Sequence, residues 1–595
     1  MKKIILLTIV SYFLLAPFTF HPDTKLTLRY AALENGKVWD IYGYLNSHKL
    51  DIPNFHYPPV HFWWLKIHYP ISKLIGGENF DDWLVSGSAQ ASFFENSLRY
   101  NLAAKLPLLI LGILSGYLIY MIVKIGTGDK NKSKIAALIW YFNPITLYSL
   151  VVMGQNDIVA VFLFLTGLLL YNKWWLAIPV WSLAAGVKNY PIIWAIMFML
   201  AWEKNITKLV FKVLFLLIGY GLILSSWLSK DYFIKDVFNS GLSQRMFLAN
   251  ISIGYDKQIL IIPVLLVILG LTTWTTKKNK NRLLDGCFVV FKSSLLILGF
   301  SHFNPQWMLW VVPFLSIWIS TVGLNSNYLL SLIVILISWF VLILGFDDKF
   351  LTWGLFSPIN SGLINFPTLI EFFRNKNINL FSIFNLSQTL LAGVALWFMN
   401  VGKNKLYKKT AKISLNKKLI FIPWLCSFML VFFISKIGSN IARYANESNK
   451  AIYLIEATDK KWNYENLSNL KYFEVSLDNP SLKSTDKGAI IVADKKGNLF
   501  RKDFSGYNAG ANSWLRVDVP ASMSDAQNLS LEIVDIEIND GLLKIRLDNQ
   551  DKWAVNFYIE NKKSLNEIIG KISLFWWWWI FVFGISCVYV RAKED

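Results

Sequence analysis

Long runs of apolar residues separated by short polar segments dominate most of the chain. Most of the runs are about 17–22 residues long, the length that an α-helix needs to cross the hydrocarbon core of a bilayer, and several are shorter. This pattern predicts an all-α polytopic membrane protein with about fourteen transmembrane helices. The predicted spans are 4–20, 101–123, 135–153, 158–172, 174–188, 191–203, 209–228, 258–275, 286–300, 307–322, 328–346, 380–400, 419–436 and 573–590. A hydrophobic content of 54% and a mean hydropathy of +0.41 exclude an ordinary water-soluble globular protein.

Basic residues collect in the short segments between these runs. The chain carries 59 Lys and Arg against 39 Asp and Glu, which gives a net charge of +20. Because positively charged loops stay on the cytoplasmic side of a membrane, we interpret the clusters as cytoplasmic loops and not as a nucleic-acid surface. Met1-Lys2-Lys3 precedes the first run and no small-residue cleavage site follows it. We therefore expect an uncleaved first helix with a cytoplasmic N-terminus.

Two longer segments interrupt the spans and, by the same topology, lie on the extracytoplasmic side. Residues 21–100 form a large first loop, whereas residues 437–571 alternate apolar and polar positions in a way that predicts strands. The expected strands lie at 489–492, 529–538, 542–547 and 553–559. The sequence thus predicts a multi-span domain over 1–436, a small extracytoplasmic β-sandwich-like domain over 437–571, and a final transmembrane helix with a cytoplasmic tail over 572–595. Four consecutive tryptophans, 576–579, favour an anchor at the membrane interface.

Five short polar motifs fall on the predicted extracytoplasmic side, four of them at the ends of predicted spans and one, Tyr57-Pro58-Pro59, within the first loop. Ionisable groups at a membrane edge are expensive to desolvate and are usually functional. Each motif also fits an ordinary hairpin tip in which Gly, Asn or Pro ends a helix. The motifs are His21-Pro22-Asp23, Tyr57-Pro58-Pro59, Gly154-Gln155-Asn156-Asp157, Gly186-Val187-Lys188-Asn189-Tyr190-Pro191 and His302-Phe303-Asn304-Pro305-Gln306.

Metal and cofactor signatures are weak in this sequence. The six histidines have no metal-ligand spacing such as HExxH, and the three cysteines all fall inside apolar runs. The sequence also has no Walker loop and no glycine-rich phosphate cradle. We expect no cofactor and assign no metal ligands, with a divalent metal left as an alternative.

Taken in order, the motifs resemble those of the GT-C glycosyltransferases, and more narrowly the mannosyl- and glucosyltransferases that use polyprenyl-phosphate sugars. The resemblance covers roughly residues 1–320. It rests on Asp23, Tyr57-Pro58-Pro59, Asn143-Pro144, Gly154-Gln155-Asn156-Asp157, Lys188 before Pro191, and Asn304-Pro305-Gln306-Trp307 followed by Trp310 and Pro313. In two places the chain departs from the pattern: Asn304 stands where many relatives carry histidine, and Asp157 is a single acid where the metal-dependent oligosaccharyltransferases have a pair.

The resemblance implies a GT-C-like fold and an inverting transfer of a hexose, with mannose as the leading sugar, from a polyprenyl-phosphate donor to an acceptor hydroxyl. The acceptor is a glycan, a lipid or a protein at the extracytoplasmic face of the cell membrane. Asp23 is the expected general base, and Asp157 is expected to orient the acceptor or the donor, or to support the residues that do. The remaining assignments are Lys188, Arg245 and His302 to the donor phosphate, and Tyr57, Gln155, Asn304 and Gln306 to substrate binding.

Other interpretations of the same residues stay open. A transporter or flippase of lipid-linked glycans is the main alternative, although it should place ionisable residues near the bilayer midplane. A membrane-anchored scaffold that acts through residues 437–571 is a third. Arg99 and Lys105 fit interfacial anchors at the start of the second span, and Asp347-Asp348 fits a solvated loop.

Overall fold

The computed structural model describes residues 1–401 and 440–560. Shorter gaps fall at 49–52, 87, 89, 241–243, 255–256, 277–280, 324–325, 347, 361–362, 365–367, 375–379, 444–446, 459, 466, 468–469, 479–485, 506–512, 524–527, 540, 542 and 549. The predicted spans 419–436 and 573–590, the tryptophans 576–579 and the C-terminal tail lie outside the described residues. The chain forms two compact units, one mainly helical and one built of strands, and each is described by itself.

The helical unit holds nineteen helices within the described residues. They are α1 (Lys2–Leu15), α2 (Pro22–Gly36), α3 (Ile41–His48), α4 (Pro59–Gly76), α5 (Phe80–Val85), α6 (Ser97–Thr127), α7 (Lys130–Phe142), α8 (Pro144–Thr146), α9 (Asp157–Leu169), α10 (Trp174–Val187), α11 (Tyr190–Trp202), α12 (Ile206–Leu224), α13 (Asp231–Phe233), α14 (Ile261–Thr275), α15 (Arg282–Phe300), α16 (Val312–Val322), α17 (Ser326–Leu344), α18 (Leu369–Arg374) and α19 (Phe381–Asn400). A hairpin of β1 (Asn250–Gly254) and β2 (Lys257–Leu260) precedes α14.

Two π-helical and several 3₁₀ segments extend or join these helices. The π-helices, Leu147–Val152 and Ile234–Phe238, continue α8 and α13. The 3₁₀ turns are Ala16–Phe18, Gln90–Phe93, Arg245–Phe247, Pro305–Trp310, Lys349–Leu351 and Trp353–Phe356. Segments of this kind are frequent where a helix is interrupted near a functional site.

Within the described residues, the helices that satisfy a strict test of length and composition for crossing a membrane are fewer than the predicted spans. Five helices in the described residues are long and apolar enough to cross a bilayer, and two bent helix pairs raise the number to seven. Five more predicted spans fall on apolar helices of 10–17 residues, which are α9, α10, α11, α14 and α16. Several apolar helices are therefore compatible with a membrane protein, and the full count of fourteen is not confirmed.

The two bends come from prolines that interrupt apolar runs. The segment Lys2–Phe18 meets α2 at 85°, and α7 meets the segment Pro144–Val152 at 44°. Pro22 and Pro144 each occupy the first position of the following helix, where proline needs no backbone donor. Asn143 caps the second break, because its Oδ1 accepts the backbone N–H of Ile145 at 2.8 Å. Both bends direct polar residues into the unit instead of continuing a straight apolar helix.

The second unit contains two antiparallel sheets with one shared core. Its strands are β3 (Asn440–Arg443), β4 (Glu447–Tyr453), β5 (Lys461–Glu465), β6 (Leu470–Asp478), β7 (Lys487–Asp494), β8 (Leu499–Ser505), β9 (Ser513–Asp518), β10 (Asn528–Glu537), β11 (Lys544–Asp548) and β12 (Val555–Glu560). One sheet has the order β5-β10-β7-β8 and the other β3-β12-β6-β11-β4, with β9 paired to β6.

Alternating burial explains why these strands pair as two layers. Along β10 the residues Leu529, Leu531 and Ile533 are buried while their neighbours are not, as expected for a strand with one covered face. The buried side chains of both sheets form a single cluster around Trp553, whose indole N–H donates to the carbonyl of Ser476 at 3.1 Å. The sequence prediction of a C-terminal β-rich region is confirmed.

Candidate functional site

Asp23 lies in the first turn of α2, directly after the 85° bend. His21 caps this helix because its Nδ1 accepts the backbone N–H of Asp23 at 3.2 Å. The positive end of the helix dipole favours a carboxylate at this position. The side chain of Asp23 is 46% exposed, which makes it the accessible acid of the group of residues described below.

The turn between the π-helix Leu147–Val152 and α9 approaches Asp23 from a distant part of the chain. The Nε2 of Gln155 donates to Oδ2 of Asp23 at 3.1 Å. The hydroxyl of Thr24 donates to the carbonyls of Met153 and Gly154, at 2.5 and 3.2 Å. These three hydrogen bonds join the start of α2 to the turn, so Gln155 holds the Asp23 carboxylate in one orientation.

Glycine is required at position 154 for two reasons. Its φ of +69° lies in the left-handed region. A Cβ at this position would also lie 2.8 Å from Oγ1 of Thr24 and 2.9 Å from Cγ of Lys105. The close approach of the turn to α2 and α6 therefore depends on the missing side chain.

Asp157 and Lys188 form a buried ion pair. The Nζ of Lys188 lies 2.8 Å from Oδ2 of Asp157, and the indole N–H of Trp310 donates to Oδ1 at 2.6 Å. The two side chains are 1% and 12% exposed for Asp157 and Lys188 respectively. Since both carboxylate oxygens of Asp157 are occupied and shielded, this acid is suited to fixing its neighbours and is closed to an incoming hydroxyl.

Tyr57 connects the first loop to this ion pair. The Nζ of Lys188 lies 5.0 Å from the centroid of the Tyr57 ring. The same ring stacks on the His61 ring, with the two ring centroids 4.3 Å apart. Burial, together with the negative charges of Asp23 and Asp157, raises the pKa of the Tyr57 phenol above its ordinary value. The phenol is therefore a hydrogen-bond donor at neutral pH and sits within electrostatic reach of both acids.

A second cation reaches the site from the segment after α13. The Nη1 of Arg245 donates to Oδ1 of Asn304 at 2.8 Å, and its guanidinium lies 5.7 Å from the ring centroid of Trp307. Trp307 stacks on Trp310 at 4.9 Å, and Trp310 stacks on Tyr190 at 3.7 Å. This aromatic ladder joins Arg245 to the indole that binds Asp157.

The two remaining predicted residues flank this ladder. His302 is exposed and stacks on Phe346 at 5.7 Å. Partial burial, and then the charge of Arg245, lower the pKa of the His302 imidazole below its ordinary value. Gln306 is buried in the 3₁₀ turn Pro305–Trp310, and within the described residues its Oε1 accepts no hydrogen bond.

The structure thus brings the predicted site residues into one neighbourhood of the helical unit. Direct contacts join seven of them in three groups: Asp23 with Gln155, Asp157 with Lys188 and Tyr57, and Arg245 with Asn304. The turn that carries both Gln155 and Asp157 connects the first two groups, and the aromatic ladder connects the third to Asp157. The seven are Asp23, Tyr57, Gln155, Asp157, Lys188, Arg245 and Asn304. No group of three His, Cys, Asp or Glu side chains among the described residues is placed to hold a metal ion.

Lys105 is a residue that sequence reasoning misplaced. It is 1% exposed inside α6 and is not the interfacial anchor that its position near the start of a span predicts. Its Nζ donates to the carbonyls of Ala16, Thr19 and Val152 at 3.1, 2.7 and 2.6 Å, and to Oγ1 of Thr19 at 2.8 Å. Lys105 therefore ties the end of the first helix, which precedes Asp23, to the end of the π-helix, which precedes Gln155.

Sequence reasoning also missed the contribution of the segment after α17. Asp348 is exposed, as the expected solvated loop requires, whereas Asp347 lies outside the described residues. Leu351 and Leu355 pack against Met153. The carbonyl of Leu355 accepts the N–H of Phe20 at 2.8 Å, and that of Leu351 accepts the hydroxyl of Tyr148 at 2.9 Å. The segment therefore contacts the chain next to both bends, at Phe20 and at Tyr148 and Met153.

Asn156 is a further residue that holds the site together. Its Oδ1 accepts the indole N–H of Trp64 on α4, and its Nδ2 donates to Oγ1 of Thr27 on α2, both at 3.1 Å. The first loop is thereby fixed to the turn that carries Gln155 and Asp157.

Comparison with known proteins assigns no family: no protein-family model matches the chain, and no curated protein matches it.

Proposed function

We propose that this chain is a membrane glycosyltransferase of the GT-C type, which transfers a hexose from a polyprenyl-phosphate donor to an acceptor hydroxyl. One observation carries the proposal. An accessible carboxylate, Asp23, is oriented by Gln155, which lies two residues before Asp157 of the shielded Asp157–Lys188 pair, and the aromatic ladder connects this pair to a second cation, Arg245. An acid open to an acceptor next to cations suited to a phosphate is what such a transfer requires. The fourteen-span topology and the extracytoplasmic location of the site belong to this proposal.

In the proposed reaction the acceptor oxygen attacks the anomeric carbon of the donor from the face opposite the phosphate. The bond from this carbon to the phosphate oxygen breaks, and the polyprenyl phosphate leaves with the electron pair. Asp23 takes the proton of the acceptor hydroxyl, and the configuration at the anomeric carbon inverts.

Phosphate stabilisation falls mainly to Arg245 in this proposal. The guanidinium uses Nη1 to bind Asn304 and has further N–H donors available in its planar fork. Lys188 is paired with Asp157, so it contributes a positive field near the site while remaining neutralised in part. His302, being exposed beside Arg245, supplies a neutral imidazole that can donate a hydrogen bond.

The test is hexose transfer by purified protein in proteoliposomes that contain a polyprenyl-phosphate hexose, with mannose as the first sugar. Mass spectrometry identifies the products, and NMR of the products shows whether the anomeric configuration has changed. Asp23→Asn should reduce the turnover number by at least about a hundredfold, as expected for loss of a general base. Asp82→Asn is the matched control, because Asp82 also lies in the first turn of a helix, α5, and is exposed.

Two results would overturn the proposal. One is full turnover by an Asp23→Asn variant that elutes and melts like the unchanged protein. The other is movement of a labelled lipid-linked glycan across the liposome membrane with no covalent change, which would identify a flippase instead.

A further inference from the structure

The β1–β2 hairpin has two chemically different faces. The strands pair antiparallel with Ile251 opposite Ile259 and Ser252 opposite Gln258. Opposed residues share a face and successive residues alternate. One face therefore carries Ile251 and Ile259, and the other carries Ser252 and Gln258, whereas Ile253 lies at the irregularity between Ser252 and Gly254.

The apolar face is uncovered in the described part of this chain. Ile251 is 57% exposed and Ile259 is 42% exposed. Strict alternation of apolar and polar positions is typical of a strand with one buried face, and a two-stranded hairpin is at best marginally stable in water. The sequence of this hairpin is thus suited to a neighbour that the chain itself does not supply.

The surface next to the hairpin indicates what that neighbour is. Helix α14 follows β2 without a break, and the N–H of Ile261 donates to the carbonyl of Ala249 at 3.0 Å, which fixes the hairpin to the helix. The side chains of Val267 and Leu271 on this apolar helix are each 60% exposed. Exposed apolar side chains therefore continue from the helix into the hairpin. A lipid bilayer fits this continuity better than a soluble protein, which would leave the helix uncovered.

We infer that the β1–β2 hairpin is embedded in the membrane surface, with Ile251 and Ile259 among the acyl chains and Ser252 and Gln258 facing water. The segment also carries Arg245, five residues before β1. An embedded hairpin places this guanidinium near the level of lipid phosphates, so a lipid-borne donor can reach it from the bilayer side. This last step rests on the proposed function, whereas the membrane contact of the hairpin does not.

Site-directed fluorescence in proteoliposomes tests the inference. A cysteine-free background is made by Cys287→Ala, Cys426→Ala and Cys587→Ala. Single cysteines are then introduced by Ile251→Cys and Ile259→Cys on the apolar face, and by Ser252→Cys and Gln258→Cys as matched controls on the polar face. Each is labelled with an environment-sensitive NBD dye and exposed to doxyl-labelled phospholipid or to aqueous iodide. Only variants that elute as a single species in detergent are reconstituted.

We expect the two apolar-face labels to emit at shorter wavelength and to be quenched several-fold more by doxyl lipid than the polar-face labels. Iodide should quench the polar-face labels preferentially. Equal iodide quenching of all four labels would refute membrane embedding. Protection of the apolar-face labels from both quenchers would also refute it, because a second copy or another protein would then cover the face.

A kinetic variant separates this inference from the proposed function. The double substitution Ile251→Ser with Ile259→Ser should raise the KM for the polyprenyl-phosphate donor several-fold and leave kcat unchanged, with Ser252→Ala as the control. Doxyl quenching without any hexose transfer by the unchanged protein would refute the proposed function and leave the embedded hairpin standing. Hexose transfer together with equal iodide quenching of every label would refute the embedded hairpin and leave the proposed function standing.

Discussion

The Asp157–Lys188 pair allows a quantitative test of how the site is held together. Lys188→Met removes the ammonium that lies 2.8 Å from Oδ2 of Asp157 and leaves a carboxylate that is 1% exposed. The hydrogen bond from Trp310 to Oδ1 remains, so Oδ2 is the atom left without its partner. Breaking a buried ion pair in this way costs about 3–5 kcal/mol, because the remaining charge is desolvated and uncompensated.

The chain provides its own control for this substitution. Lys73 and Asp81 lie 2.6 Å apart, but their side chains are 46% and 38% exposed. Water compensates an exposed charge that loses its partner, so Lys73→Met should lower the free energy of unfolding by only about 0–1 kcal/mol. The two substitutions remove the same group from ion pairs of similar length, and they differ in burial.

The measurement is the free energy of unfolding in mixed micelles, from denaturant titrations followed by far-ultraviolet circular dichroism. Adding Asp157→Asn to Lys188→Met should recover part of the loss, since the buried negative charge is then absent, and the double-mutant cycle gives the coupling energy. Equal stability losses for Lys188→Met and Lys73→Met would refute the reasoning. So would a coupling energy of zero.

Three further predictions follow from single contacts. Gly154→Ala should destabilise the protein by more than the control Gly128→Ala, because both glycines have φ near +70° but only at residue 154 would the new Cβ collide with Thr24. Gly128→Ala introduces backbone strain alone, which costs about 1–2 kcal/mol. Thermal melts of the two variants measure the difference. Trp310→Phe should cost about 1–3 kcal/mol by denaturant titration, since it leaves an oxygen of a buried carboxylate without its donor. Burial lowers the pKa of His68 to about 4, below the value near 6.5 in the unfolded chain. The unfolded chain therefore binds a proton at this residue before the folded protein does. The contribution of His68 to the free energy of unfolding is complete above pH 6.5, and about 3 kcal/mol of it is lost as the pH falls from 6.5 to 4. His68→Gln should flatten this loss in melts recorded across that pH range, and an unchanged slope would contradict the assignment.

Much of the fold is predictable because its signals are local. Apolar runs of helical length predict helices where the structure has them, and period-two alternation predicts β7, β10, β11 and β12. The polar motifs also contain most of the residues that form the site, because Gly, Asn and Pro mark the helix ends at which the chain turns. Lengths of individual helices are less predictable, because an apolar run such as 158–172 contains helix and turn alike.

The contacts that assemble the site are the part that sequence patterns do not contain. Gln155 and Asp23 are 132 residues apart, and Trp310 and Asp157 are 153 residues apart, so no periodicity connects them. A lysine near the start of a span has the same local signature whether it anchors at an interface or, like Lys105, is buried. The partners of Lys105 decide its role, and three of them are backbone carbonyls that carry no residue identity.

The buried ammonium of Lys105 has a consequence for biogenesis. In the proposed membrane topology, α6 would be inserted carrying a cation whose acceptors lie directly after α1, at Ala16 and Thr19, and at Val152, which is synthesised after α6. Until Val152 has emerged, that cation lacks one of its carbonyls and must stay near water or the translocon. The final packing of α6 therefore depends on later parts of the chain, because in a nascent chain that ends before residue 152 the ammonium of Lys105 lacks the carbonyl of Val152.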